Sequence, residues 1–95
     1  MYARVLVLKA EPSRRAEVEA LSNQAFAIMK TLPGFISVHF VMSADEDKYG
    51  SFSLWESKEA ALAAGDSLQS QLAGAMQGLA SAPPTMEVLE VHKPG

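Results

Sequence analysis

Successive side chains of a β-strand point to opposite sides of the sheet, so a strand with one wet face alternates apolar and polar residues. This chain departs from that alternation in strand after strand. Residues 35–42 set Ile36, Val38, Phe40 and Met42 against Phe35, Ser37, His39 and Val41. Residues 2–10 set Ala3, Val5 and Val7 against Leu6 and Leu8, and residues 86–91 set Met86 and Val88 against Leu89 and Val91. Neither side of the sheet reads as solvent-exposed, so both sides need cover.

Helices supply part of it. Val18, Leu21, Ala25, Ile28, Met29 and Leu32 recur at helical spacing, which predicts a helix over 14–31. Ser13 stands ready to cap it, and Leu32-Pro33-Gly34 stops it. A third strand over 50–55 follows a polar connection, 43–49, whose Asp45-Glu46-Asp47-Lys48 reads as a solvated hairpin tip. Ser57 caps a second helical region, which Gly65 is expected to interrupt. Asp66-Ser67-Leu68-Gln69 then has the form of a capping box that restarts the helix. Leu68, Leu72, Met76 and Leu79 make its apolar stripe, and the Gly74 and Gly78 pair suggests close packing on the sheet. The order β-α-β-β-α-β gives an α+β fold, a ferredoxin-like sandwich with both helices on one face of an antiparallel sheet, within a single domain, 1–95.

Two helices cover one face only. Leaving the other wet exposes about six to eight large apolar side chains, at roughly 1.5–3 kcal/mol each relative to burial. A second copy of the same sheet is the simplest cover, so the chain is expected to form a homodimer through its open sheet face. A charged fraction of 20%, slightly low for a surface wholly in water, agrees with that.

Composition narrows the function classes. A net charge of −3, with Arg14-Arg15 followed at once by Glu17 and Glu19, gives no basic patch for nucleic acid or an anionic membrane. Cysteine is absent, which removes disulfides and thiolate chemistry. No apolar run approaches the ~20 residues of a membrane span, and the N-terminus lacks a signal-peptide layout, so a cytoplasmic protein is expected. Neither a phosphate-binding glycine loop nor a nucleophile elbow occurs.

Two short stretches carry a resemblance. Leu32-Pro33-Gly34-Phe35-Ile36-Ser37-Val38, entering strand two, and Leu54-Trp55-Glu56-Ser57-Lys58-Glu59-Ala60, leaving strand three, resemble the antibiotic-biosynthesis monooxygenase family. That resemblance implies a dimeric α+β barrel, sheet against sheet. It also implies cofactor-independent oxidation of an anthrone- or hydroquinone-like aromatic by O2, or, where activity has been lost, a non-catalytic dimeric module that binds a small ligand. The matching strand-three tryptophan is Trp55, whose indole N–H would hydrogen-bond a substrate oxygen. Its competing role is a large apolar plug between strand three and helix two. No cofactor and no metal are expected. The second helix lacks the histidine that haem-degrading relatives use, and His39 and His92 do not form a ligand pair by spacing. The strand asparagine of some oxygenases has no match either, since Asn23 lies on the first helix.

Alternation puts Ser51 and Ser53 on the face of Trp55. With a simple hairpin register Ser37 and His39 join them. The set is a candidate small-molecule site, with His39 as general base because imidazole is the side chain suited to proton transfer near neutral pH. Tyr49 and Arg4 are further candidate contacts, each equally well explained as a turn tyrosine and an exposed strand-end arginine.

Overall fold

The computed structural model describes residues 1–94. Its elements are β1 (Tyr2–Lys9), a 3-10 turn (Pro12–Arg14), α1 (Arg15–Met29), β2 (Phe35–Met42), β3 (Lys48–Trp55), α2 (Lys58–Leu79) and β4 (Thr85–Glu90). The sheet order is β2-β3-β1-β4, and every neighbouring pair is antiparallel. This is the expected ferredoxin-like α+β arrangement.

Both helices lie on one side of the sheet. One core cluster joins Met29 of α1, Trp55 of β3 and Ala61, Ala64, Leu68 and Leu72 of α2, with Phe35 packed against it. The Phe35 and Trp55 rings meet edge to face at 5.4 Å between centroids, a favoured aromatic geometry. A second cluster, Leu8, Ala10, Val18, Tyr49 and Leu79, closes the opposite end of the sandwich.

Three local expectations are corrected. Ser13 does not cap α1: it lies inside the 3-10 turn, and α1 starts with no side-chain cap. Gly65 does not interrupt α2, which runs unbroken for 22 residues from an N-cap at Ser57, whose hydroxyl accepts from the Ala60 amide at 3.1 Å. The Asp66–Gln69 capping box is therefore unused, because the buried stripe Ala61, Ala64, Leu68, Leu72 continues straight across the glycine and packing outweighs a local cost of ~1 kcal/mol. Gly74 and Gly78 do not pack closely on the sheet, since a β-carbon at either position would meet open space.

The fourth difference governs the site. β2 and β3 pair with an irregularity between Phe35 and Ser37. Phe35 lies opposite Trp55, yet Val38 lies opposite Ser53 and Phe40 opposite Ser51. One extra residue, Ile36, thus shifts the alternation of everything after it, as a β-bulge does. Ser37 pairs with Leu54 and His39 with Phe52, on the sheet face away from the helices.

That open face also carries Val7, Val41, Phe52 and Leu89, all of them exposed in the single chain. No helix of the described residues is long and apolar enough to cross a membrane.

Candidate functional site

The site grows from β1 and β3. Arg4, Leu6 and Leu8 of β1 share the helix-side face with Tyr49, Ser51, Ser53 and Trp55 of β3, in the register Arg4–Ser53, Leu6–Ser51 and Leu8–Tyr49. Val18, Leu21, Ser22, Ala25 and Met29 of α1 and Leu68, Leu72 and Met76 of α2 close over the middle of this patch. The cavity they form measures about 60 Å³ and includes Arg4, Tyr49, Ser51 and Phe40 in its walls.

Two buried polar atoms there have no hydrogen-bond partner, Arg4 Nε and the Tyr49 hydroxyl. Buried donors and acceptors are satisfied in more than nine cases out of ten, so two unpartnered atoms lining one cavity require an explanation. Arg4 is only 7% exposed. The ion pairs among the described residues involve Arg14 and Arg15 and leave Arg4 without a carboxylate. Burial pulls the Arg4 guanidinium below its ordinary value, and burial followed by the nearby Glu46 charge pushes the Tyr49 phenol up.

Space for the guanidinium comes from α2. A β-carbon on Gly65 would lie in ordinary contact with the guanidinium, 3.4 Å from Arg4 Nε, so the helix passes close beside the arginine at its glycine. Beyond this point the cavity wall is shared with a larger groove. Arg4, Leu6, Leu68 and Met76 line both, and the groove runs between α2 and β4, floored by Met86 and bounded by Leu62, Asp66 and Pro83. Its volume is about 870 Å³. Pockets for drug-sized ligands measure ~300–1,000 Å³, so the groove can take the body of an aromatic molecule and the small cavity only one end of it.

Trp55 is fully buried and lines neither space. Its indole N–H donates to Ser53 Oγ at 2.9 Å, and Ser53 Oγ in turn donates to the carbonyl of Arg4 at 3.3 Å. The tryptophan therefore reaches the site through two hydrogen bonds, ending on the backbone of the arginine. Of the other residues expected at the site, Ser51 and Tyr49 line the cavity, and Ser53 is buried behind it. Ser37 and His39 stand across the sheet for the register reason given above, so their placement beside Trp55 is corrected.

The sequence reading missed that Arg4 is buried. The signal was present, since Arg4 stands in phase with Leu6 and Leu8 on the covered face of β1. Tyr49, expected in a turn, belongs to β3, which starts two residues earlier than its apolar run suggests.

A family model described as antibiotic biosynthesis monooxygenase matches residues 1–76. No curated protein matches the chain in a sequence search. Among solved structures, Rv0793 from Mycobacterium tuberculosis is 19% identical with a TM-score of 0.82, covering 98% of this chain and 96% of that one. SnoaB, a cofactor-independent oxygenase from Streptomyces nogalater, is 17% identical with a TM-score of 0.79, covering 98% and 94%. The monooxygenase ActVA-Orf6 of Streptomyces coelicolor, solved with Nanaomycin D, is 20% identical with a TM-score of 0.81, covering 98% and 88%. At these identities the likenesses show a common fold.

Proposed function

We propose, from the premise that the chain belongs to the antibiotic biosynthesis monooxygenase family, that it oxidises a small electron-rich aromatic with O2 and without a cofactor. The observation that carries this reading is the apolar space between sheet and helices, into which a buried arginine and a buried tyrosine bring unpartnered polar atoms. A few convergent polar groups in an apolar cleft are what orients a small aromatic.

The reaction balances without an outside reductant. A methylene flanked by aromatic rings gives up two hydrogens, a carbonyl forms in its place, and O2 supplies one oxygen to the product and one to water. The substrate furnishes all four electrons. Its deprotonation comes first, because the carbanion or phenolate gives an electron to O2 far more readily than the neutral molecule. Stabilising that anion, excluding water and fixing the ring are the protein's tasks. Ser51 and Tyr49 face the cavity for this purpose, and Trp55 acts as a positioning residue through Ser53. His39 lies on the other face of the sheet, so the proton leaves to solvent.

The working form is a homodimer in which two open sheet faces pack together, covering Val7, Val41, Phe52 and Leu89 and placing His39 and Ser37 at the seam.

Oxygen uptake with a panel of anthrones and hydroquinones tests the reading. Uptake above the uncatalysed rate is expected for at least one of them, and with an anthrone at one O2 per methylene converted to carbonyl. A second reading, a non-catalytic module that binds a small ligand, is favoured by the internal engagement of the Trp55 N–H and by the position of His39. Saturable binding of those aromatics with uptake no faster than background would select it.

A further inference from the structure

An arginine that is only 7% exposed, with its Nε buried and no carboxylate paired to it, is an unusual thing to keep in a protein. Removing a cation from water without a counter-ion is unfavourable, and the site keeps Arg4 in that condition with its Nε unpartnered. The residues that face it do not relieve it. Ser53 accepts from Trp55 and bonds the Arg4 carbonyl, not its guanidinium. Gly65 offers no side chain, and the neighbouring Asp66, which lines the groove, forms no ion pair with it. Leu6, Leu68 and Met76 complete the shared wall as apolar groups. Position matters as much as charge, because Arg4 stands at the junction of the small cavity and the large groove.

We infer that Arg4 is the missing half of an ion pair whose other half arrives with the ligand: the site selects aromatics that carry an ionised oxygen, a phenolate, enolate or carboxylate. The ring system lies in the groove between α2 and β4, and the oxygen anion points inward to the guanidinium. Arg4 then does two things for the oxidation proposed above, on which this inference rests. It chooses the ionised substrate over its neutral isostere, and it lowers the pKa of the bound phenol or enol, so that the electron-rich form is present at neutral pH without a base in the cavity. Arginine suits the task better than lysine because its planar fork stays charged when desolvated. Tyr49, with its phenol held protonated by burial, is a second donor lining the same cavity.

Three probes test this on the full chain. Binding of 2-naphthoate is compared with that of its methyl ester by calorimetry, and the ionisation of a hydroxynaphthalene is followed by absorbance with and without protein. Wild type is expected to prefer the carboxylate by about tenfold or more and to lower the apparent pKa of the bound naphthol by about one unit or more. Arg4→Gln is expected to lose both effects while still binding the ester, and Arg4→Lys to keep part of each. Equal affinity for acid and ester, an unmoved or raised naphthol pKa, or no binding of any probe by wild type would each overturn the inference. Should Arg4→Gln fail to fold, the wild-type comparisons and Arg4→Lys still decide. The two proposals fail separately. A retained anion preference with no oxygen uptake ends the oxygenase reading alone, and uptake unchanged in Arg4→Gln with no anion preference ends this one alone.

Discussion

Gly34 faces Ala60 so closely that a β-carbon on the glycine would lie 2.7 Å from the alanine methyl, and its φ of +81° is a conformation that other residues adopt at a cost. The Gly34 carbonyl also accepts from the Glu56 amide at 2.8 Å. The Pro-Gly-Phe entry to β2 and the Trp-Glu-Ser exit from β3 are thus one junction, locked by contact between the two segments. Gly34→Ala is expected to destabilise the fold by roughly 2–4 kcal/mol, the sum of a left-handed β-carbon and a backbone shift. Gly74→Ala, where an added methyl meets open space in the middle of α2, is expected to stabilise it by about 0.5–1 kcal/mol. Urea unfolding of both variants checks the pair, which should move in opposite directions.

The Trp55–Ser53 bond makes a second prediction. Ser53→Ala leaves a fully buried indole N–H without its acceptor and is expected to cost about 1–3 kcal/mol. Trp55→Phe removes the donor and leaves a void, at about 2 kcal/mol or more. Because both act on one bond, the double variant should lose less than the sum, and a double-mutant cycle by chemical denaturation measures the difference.

Much of this was legible in the sequence. Element order and the helix stripes follow from periodicity, and the two-sided sheet follows from the failure of alternation in β1, β2 and β4. What alternation could not show was the bulge at Ile36, because an inserted residue leaves an apolar run looking unbroken while it turns every later side chain over. Alternation alone therefore puts Ser37 and His39 on the helix side, and the bulge turns them to the other. The length of α2 was hidden in a similar way, since Gly65 reads locally as a break, while the packing of Leu68 and Leu72 that overrides it is a tertiary effect. The cost of a buried arginine is visible only once the walls around it are known.

Tyr49 shows what the site gives up in stability. Its hydroxyl is buried with no partner, and its pKa is raised by burial first and Glu46 second. A group whose folded pKa lies above its unfolded value contributes stability that is complete below the unfolded value and lost as pH rises through the folded one. Wild type is therefore expected to lose stability as pH climbs past the ordinary tyrosine range near 10. Tyr49→Phe should flatten that decline and leave the neutral-pH midpoint unchanged or higher, while weakening binding of an aromatic ligand. Thermal melts at neutral and alkaline pH, paired with a binding titration, test both halves.

The open sheet face predicts its own disruption. Phe52 is 41% exposed in one chain and lies opposite His39 on that face. Light scattering of wild type is expected to give about twice the 10.2 kDa chain mass. Phe52→Glu should give the single-chain mass with its helical circular dichroism retained, since the charge is accommodated in water and unfavourable only at a seam.

Nuclear magnetic resonance of the labelled protein with an aromatic acid such as 2-naphthoate reads directly whether the ligand sits on the helix side of the sheet. The Arg4 Nε–H signal and the amides of Leu6, Ser51, Leu68 and Met76 are expected to shift in proportion to occupancy, while those of Ser37, His39 and Phe52 stay where they are. Shifts confined to Ser37, His39 and Phe52, with Arg4 unmoved, would place the ligand on the opposite face and rule out a site at Arg4.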